Sequence, residues 1–175
     1  MMTAEARAKA AALMGCLVKD ADGLEGRVRL QKSLYLLQRK GAVELQPFAF
    51  AYHHYGPYSD ALAGLLEESV RADLIVEKAE NFADEWQRFE YLPGHRVAEY
   101  ESLVAQESRA LIDEIVRVTR GAHWRTLELA ATVDFLQREG STSREVAVAK
   151  ALELKPACRD YESEASRVLD ALQLN

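Results

Sequence analysis

The chain has 175 residues, with 22 Lys and Arg against 28 Asp and Glu, and a formal net charge of −6. This length favours one domain with its own hydrophobic core, and the acidic balance gives no general attraction to nucleic acid or an anionic membrane. The chain has no secretory leader pattern and no apolar run of roughly 18 residues, and Cys16 and Cys158 lie far apart. These features predict a cytoplasmic protein with no membrane partner.

Two helices are predicted near the N-terminus. The first covers the Ala-rich stretch 3–19, and 20–26 is predicted to be a loop. The second runs from about Arg27 to Lys40, carries a stripe of leucines and ends at Gly41. Its basic side chains occur with no Asp or Glu among them, which predicts a local basic cluster: Arg27, Arg29, Lys32, Arg39 and Lys40.

An aromatic stretch follows, and it joins a strand signal to a turn signal. From Phe48 to Tyr55 large aromatics alternate with small or polar residues, which is typical of a strand. Pro57 has no N–H to donate and restricts Gly56, so we expect the chain to turn at this pair. Ser59 is then placed to cap a helix that runs to about Arg71.

Tyr55 and Tyr58 flank this predicted turn. Aromatic hydroxyls held at a fixed turn are candidates for anchoring a partner. The alternative is that both rings only pack the corner between strand and helix, and the sequence leaves both interpretations open.

Two short strands are predicted next, at Leu74–Lys78 and Gln87–Leu92, with Ala79–Trp86 as a flexible hairpin tip between them. With the aromatic strand they would form a short three-stranded antiparallel sheet. The order helix, helix, strand, helix, strand, strand then gives residues 1–93 a winged-helix-like outline.

Residues 94–175 are predicted to be entirely helical. Helices are expected at Val97–Arg120, at Trp124–Glu139, between a capping box at Thr142–Glu145 and Pro156, and around Tyr161–Leu172. No flexible linker interrupts the chain, so we expect this half to pack on the first. The fold prediction is a mostly α, α+β protein forming a single compact domain over 1–175.

Four blocks of sequence together resemble a known family: Leu30–Gln38 (LQKSLYLLQ), Tyr55–Ser59 (YGPYS), Thr126–Val133 (TLELAATV) and the pair Lys155-Pro156. The combination is similar to the SocA-like proteins and Panacea antitoxin domains, most of all to the YwgA-type branch. The resemblance implies a mostly helical bacterial or phage-borne domain that acts by protein contact. Members of the family neutralise toxins or deliver a toxin to a protease.

No motif in the chain predicts catalysis, a metal site or a cofactor. His53 and His54 are adjacent in a predicted strand, so their rings would point to opposite faces and could not easily share one ion. Neither cysteine has a His or a cation beside it in sequence, and the glycines do not form a phosphate-binding loop. A hydrolase would need paired carboxylates or a nucleophile elbow, which the sequence lacks.

The first functional hypothesis is therefore a non-enzymatic protein-interaction domain whose partner is a toxin or a protease-delivery target. The candidate partner-binding residues are Arg27, Arg29, Lys32, Arg39, Lys40, Tyr55 and Tyr58, and the structural turn residues are Gly56, Pro57 and Ser59. The alternative is a DNA-binding regulator of winged-helix type, which the basic helix permits. Acidic residues on the next helix and on the predicted wing disfavour nucleic acid. A homodimer is left open.

Overall fold

The computed structural model describes residues 3–81 and 87–174. It is mostly helical with small antiparallel sheets, which confirms the predicted mostly α, α+β class. Its helices are α1 (Ala4–Asp20), α2 (Arg27–Lys40), α3 (Asp60–Arg71), α4 (Val97–Tyr100), α5 (Gln106–Thr119), α6 (Trp124–Gly140), α7 (Arg144–Leu154) and α8 (Glu162–Ala171). Its strands are β1 (Leu24–Glu25), β2 (Ala51–His53), β3 (Gly56–Tyr58), β4 (Ile75–Asn81) and β5 (Gln87–Pro93).

Three helices lie at the centre of the molecule because long parts of them are buried around the whole circumference. The continuous buried runs are 10–18 in α1, 30–37 in α2 and 126–134 in α6. Apolar side chains from both halves of the chain belong to one hydrophobic cluster. Polar residues inside these runs must therefore find partners within the protein.

Local signals predicted most helix ends correctly. Gly41 adopts a left-handed conformation with φ of 105° and ends α2, as expected for a C-terminal glycine. Ser59 begins α3, and its hydroxyl accepts a hydrogen bond from Leu62 N at 3.4 Å. The cap of α7 is Ser143 rather than Thr142, although the capping-box spacing pointed to Thr142.

The predicted sheet needs a correction. A three-stranded antiparallel sheet exists, but its order is β1-β5-β4, so its third strand is Leu24–Glu25 from the predicted loop. The aromatic strand is shorter than predicted and pairs with β3 in a separate two-stranded sheet. A two-residue strand such as β1 is too short to show any alternation in sequence.

The turn also lies elsewhere. The chain reverses at His54 and Tyr55, and Gly56 and Pro57 belong to β3, where Pro57 faces Tyr52 across the sheet. Proline is tolerated there because both strands of a two-stranded sheet are edge strands. The predicted turn at Gly56-Pro57 is therefore wrong by two residues, whereas the reversal itself exists.

The predicted helix Val97–Arg120 is broken. A 3₁₀ turn at Glu101–Leu103 separates α4 from α5, and the backbone is extended at Val104. The buried Glu44 carboxylate accepts hydrogen bonds from Ala105 N at 2.7 Å and from the Ser108 hydroxyl. A side chain distant in sequence thus fixes the chain at the start of α5, which no local pattern could have indicated.

The predicted hairpin tip, Ala79–Trp86, lies partly outside the residues that the structure describes. Residues 79–81 belong to β4 and residues 82–86 are outside the described residues. Within the described chain, no helix combines the length and the apolar character needed to cross a bilayer.

Candidate functional site: an anchored aromatic hairpin

The segment Ala51–Tyr58, called the aromatic hairpin below, is held to the protein by side chains rather than by a larger sheet. The Gln31 side-chain amide of α2 donates to Ser59 O at 3.1 Å and accepts from Ser59 N at 3.1 Å. This pair of bonds satisfies both backbone groups of the residue that follows the hairpin, and it fixes the path of the chain into α3.

Lys32, the next residue of α2, binds the backbone of the hairpin from the protein interior. It is only 1% exposed, and its ammonium group donates to Pro57 O at 2.8 Å. Burial lowers the pKa of Lys32 to about 7, while the charge of Glu128 raises it and that of Lys155 lowers it further. Lys32 is thus a buried cation that its surroundings do not fully compensate.

Lys155 holds the other end of the hairpin. Its ammonium group donates to His54 O at 2.6 Å and to the Glu128 carboxylate of α6 at 2.7 Å. The Cys158 thiol lies 3.6 Å from the second oxygen of that carboxylate, and burial, followed by the charge of Glu128, raises the pKa of Cys158 to about 11. Two ammonium groups and one carboxylate are therefore buried together beneath the hairpin.

Gly56 is the point of closest contact between the hairpin and α6. Its φ is 84°, and a Cβ at this position would collide with the hydroxyl oxygen of Thr132. That hydroxyl is buried and has no hydrogen-bond partner among the described residues. The positive φ and the close contact with Thr132 both require a glycine here. The prediction that Gly56 is structurally important therefore holds, although the turn lies elsewhere. We call Gln31, Lys32, Glu128, Thr132 and Lys155 the anchor cluster.

The outer side of the hairpin exposes aromatic rings. Tyr55 is 54% and Tyr52 is 38% exposed. The Tyr55 ring meets Trp124, the first residue of α6, at 6.3 Å between centroids, and the Arg125 guanidinium lies 4.6 Å from the centre of the Trp124 ring. We call Tyr52, Tyr55 and Trp124 the hairpin face. The structure thus joins the aromatic hairpin and the start of α6 in one aromatic surface.

Tyr58, the second predicted tyrosine, does not belong to this face. It is half-buried, its ring lies 5.2 Å from the His53 ring, and it lines a groove of about 420 Å³ between α2 and α3. Leu34 and Leu62 form part of the floor of that groove. For Tyr58 the structure therefore shows a packing contact at the corner between strand and helix.

The basic residues at the end of α2 have partners within the protein. The Arg39 guanidinium donates to both oxygens of the buried Asp134 carboxylate, at 2.6 and 3.0 Å. The Lys40 ammonium donates to Leu172 O at 2.8 Å and lies 3.3 Å from the Glu114 carboxylate. Both cations hold α2 to the helical half.

The two arginines at the start of α2 lie apart from these. Arg29 donates to Ala122 O and lines a cavity between α1, α2 and α5. The Arg27 side chain is 60% exposed, with its guanidinium 3.8 Å from the centre of the Phe89 ring and 3.9 Å from the Glu77 carboxylate. The expectation of a single exposed basic cluster has to be corrected, since four of its members have intramolecular partners in the interior: Arg29, Lys32, Arg39 and Lys40.

Sequence reasoning missed four members of the anchor cluster: Gln31, Glu128, Thr132 and Lys155. The available signal was that each is a polar residue in a block used for the family resemblance. His53 and His54 are both exposed. Within the described ranges, no three His, Cys, Asp or Glu side chains are grouped so that they could hold a metal ion.

Comparisons with known proteins add no family assignment. No family model matches the chain, and no curated protein matches it.

Proposed function

We propose that this protein is a non-enzymatic protein-interaction domain, similar to SocA-like and Panacea proteins, that binds a protein partner through the hairpin face. The observation that carries the proposal is the exposure of Tyr52 and Tyr55 on a backbone fixed by buried side chains. Tyr and Trp dominate the binding energy of many protein interfaces. A surface that is already ordered loses less conformational entropy when it binds.

The resemblance supports the same site. Its four blocks contribute Gln31 and Lys32, Gly56 with its neighbours, Glu128 and Thr132, and Lys155, and these residues meet at the hairpin. The four blocks therefore build one anchored hairpin. The partner class that it implies is a toxin or a protein delivered to a protease. A cytoplasmic location fits Cys16 and Cys158, which are both free and buried.

The surface charges disfavour the alternative, a DNA-binding regulator of winged-helix type. In such a protein the helix before the wing would read the major groove, and here that helix, α3, exposes Asp60, Glu67 and Glu68. Phosphates would repel these carboxylates. Among the basic residues of α2, only Arg27 has a side chain that is more than half exposed.

Affinity capture from the native host with matched variants tests the proposal. The double variant Tyr52→Ala with Tyr55→Ala is expected to weaken binding of the captured protein by more than about tenfold, because it removes both exposed rings of the hairpin face. The control is Val43→Ala, since Val43 is 60% exposed and lies outside the hairpin. A partner that binds both variants as tightly as the parent protein would refute this face as the docking site.

Two further measurements on the same protein separate the other candidates. Binding to duplex DNA should be negligible at about 150 mM salt, and the mass in solution should show whether a second copy occupies the face. Tight DNA binding that weakens steeply with salt would favour the regulator. A dimer that dissociates in the double tyrosine variant would identify the partner as a second copy of this chain.

A further inference from the structure

A cavity of about 210 Å³ lies away from the hairpin, between the end of α1, β1, the start of α2 and the end of α5. This volume is below the roughly 300–1,000 Å³ of pockets for drug-sized ligands, and it suits a single small ion or group. Its charged lining consists of Arg29, Arg120 and Glu25. Glu25 is paired with Arg88 at 2.6 Å and forms no ion pair with Arg29 or Arg120 within the described residues, although its charge acts on Arg29.

Arg29 is the central group of this cavity. Burial lowers its pKa, and only the charge of Glu25 opposes that effect, so the guanidinium is a desolvated cation. No carboxylate of the described residues lies within ion-pair distance of it. One of its N–H groups donates to Ala122 O beyond the end of α5, and the other donors of the planar fork are available.

Two further polar features converge on the same cavity. Ser33 lines it, is 1% exposed, and its hydroxyl has no hydrogen-bond partner in the described part of the chain. Arg120 stands at the exposed edge, also without an ion pair to any described residue. The Ser33 hydroxyl can donate a hydrogen bond to an oxygen of a ligand bound in this cavity.

We propose that this cavity binds a small oxyanion of the phosphate class, either inorganic phosphate or the phosphate group of a small monoester. The Arg29 guanidinium would hold two of its oxygens, Arg120 would close the exposed side, and the Ser33 hydroxyl would donate from the interior. Arg27 and Arg29 lie in the first turn of α2, which has no acidic residue and no side-chain cap. The absence of a carboxylate from that turn favours an anion beside Arg29.

The carbonyl ends of α1 and α5 also border the cavity, and they favour cations. A purely structural role for Arg29 would be to cap α5 through Ala122. That role and anion binding make different predictions: a structural arginine affects stability without any dependence on phosphate, whereas an anion site makes the melting temperature rise with phosphate and saturate.

Calorimetry and thermal melts with inorganic phosphate at constant ionic strength test the proposal, with glycerol phosphate as the monoester and acetate and chloride as comparison anions. We expect saturable binding of phosphate or the monoester, weakened by about tenfold or more in Arg29→Gln and in Arg120→Gln. The matched control is Arg117→Gln, because Arg117 is an exposed arginine of α5 outside the cavity and should leave binding unchanged.

If Arg29→Gln does not fold, the exposed Arg120→Gln and the conservative Ser33→Ala carry the test, since neither removes a hydrogen bond within the described protein. Binding of the monoester alone would assign the site to a phosphorylated small molecule, and equal binding would assign it to the phosphate group itself. Absence of saturable binding, an equal response to acetate and chloride, or full binding in Arg120→Gln would overturn the proposal.

Discussion

The described part of the chain contains two antiparallel pairs of consecutive strands, or β-hairpins, that are held in different ways. The hairpin of β4 and β5 has seven residues in each strand and a continuous antiparallel register from Ile75–Pro93 to Asn81–Gln87. It is extended by β1 and becomes exposed toward its tip. The aromatic hairpin has three residues in each strand, and side chains of the anchor cluster hold its backbone.

This difference shows what each hairpin is suited for. A two-stranded hairpin of three-residue strands is at best marginally stable alone, so the position of the aromatic hairpin depends on the protein beneath it. Buried lysines that donate to His54 O and Pro57 O fix the loop from which Tyr55 projects. The anchored hairpin therefore presents an ordered aromatic surface, whereas the longer hairpin is held by its backbone ladder, by β1 and by the buried side chains of Ile75 and Tyr91 near its base.

The largest expected effect comes from removing the buried carboxylate. Glu128→Ala leaves the Lys32 and Lys155 ammonium groups buried without a counter-charge, which should lower the free energy of unfolding by about 3–5 kcal/mol. Chemical denaturation measures this loss in the free energy of unfolding. The matched change Glu80→Ala, on the exposed end of β4, should cost no more than about 0.5 kcal/mol. Similar costs for the two variants would show that the cluster does not anchor the hairpin.

The next effect separates backbone strain from packing at Gly56. Gly56→Ala and Gly41→Ala both place a side chain at positive φ, but only the Cβ at position 56 meets another atom, the Thr132 hydroxyl oxygen. Gly41→Ala should cost about 1–3 kcal/mol from strain, and Gly56→Ala should cost about 2 kcal/mol more.

A second change tests the cause. Adding Thr132→Ala to Gly56→Ala removes the colliding oxygen and should recover most of the additional loss in melting temperature. If Gly56→Ala and Gly41→Ala melted alike, the close contact between hairpin and α6 would have no energetic consequence.

A smaller effect depends on pH. The pKa of Lys32 is about 7 in the folded protein and about 10.4 in an unfolded chain, so the unfolded state binds more protons between these values. The free energy of unfolding should therefore rise with pH above about 7, by about 2 kcal/mol up to pH 9, and the Lys32 contribution should be flat below that window.

Comparison with Lys32→Met isolates this contribution. The parent protein should gain stability relative to Lys32→Met as the pH is raised, whereas the exposed Lys78→Met should follow the parent curve. Glu128 and Lys155 face the same site and remain in both proteins. Parallel pH profiles for the parent and Lys32→Met would contradict an uncompensated buried charge.

The smallest expected effect on stability is that of the exposed ring. Tyr55→Ala removes a side chain that is 54% exposed and contacts Trp124 only through its edge, so the melting temperature should change by no more than a degree or two. A loss of several degrees would mean that Tyr55 stabilises the hairpin instead of presenting a surface.

Local sequence signals were sufficient for most helices and for one hairpin. The bounds of α2 and the start of α3 followed from Gly41 and Ser59, because helix caps act over a few residues. The turn at His54 and Tyr55 could not be predicted, since neither residue is a usual turn former. The break before α5 depends on Glu44, whose partners lie about 60 positions later in the chain.

The candidate site was predicted only in part. Tyr55 and Gly56 were identified from the local pattern, and their importance to the site follows from exposure and from the contact with Thr132. Glu128 and Lys155 were missed because their pairing joins separate segments. Lys32 was assigned to a surface because a lysine in an amphipathic helix usually lies in solvent.

Site-specific photo-crosslinking in native host cells tests the central claim, that the anchored hairpin is the docking surface for a protein. A photo-reactive phenylalanine analogue replaces Tyr55 in one protein and Glu80, on the exposed end of β4, in the other. We predict a discrete protein adduct from position 55 that is absent from position 80 and is lost when Trp124→Ala is added. Equal adducts at both positions, or none at position 55, would contradict the account.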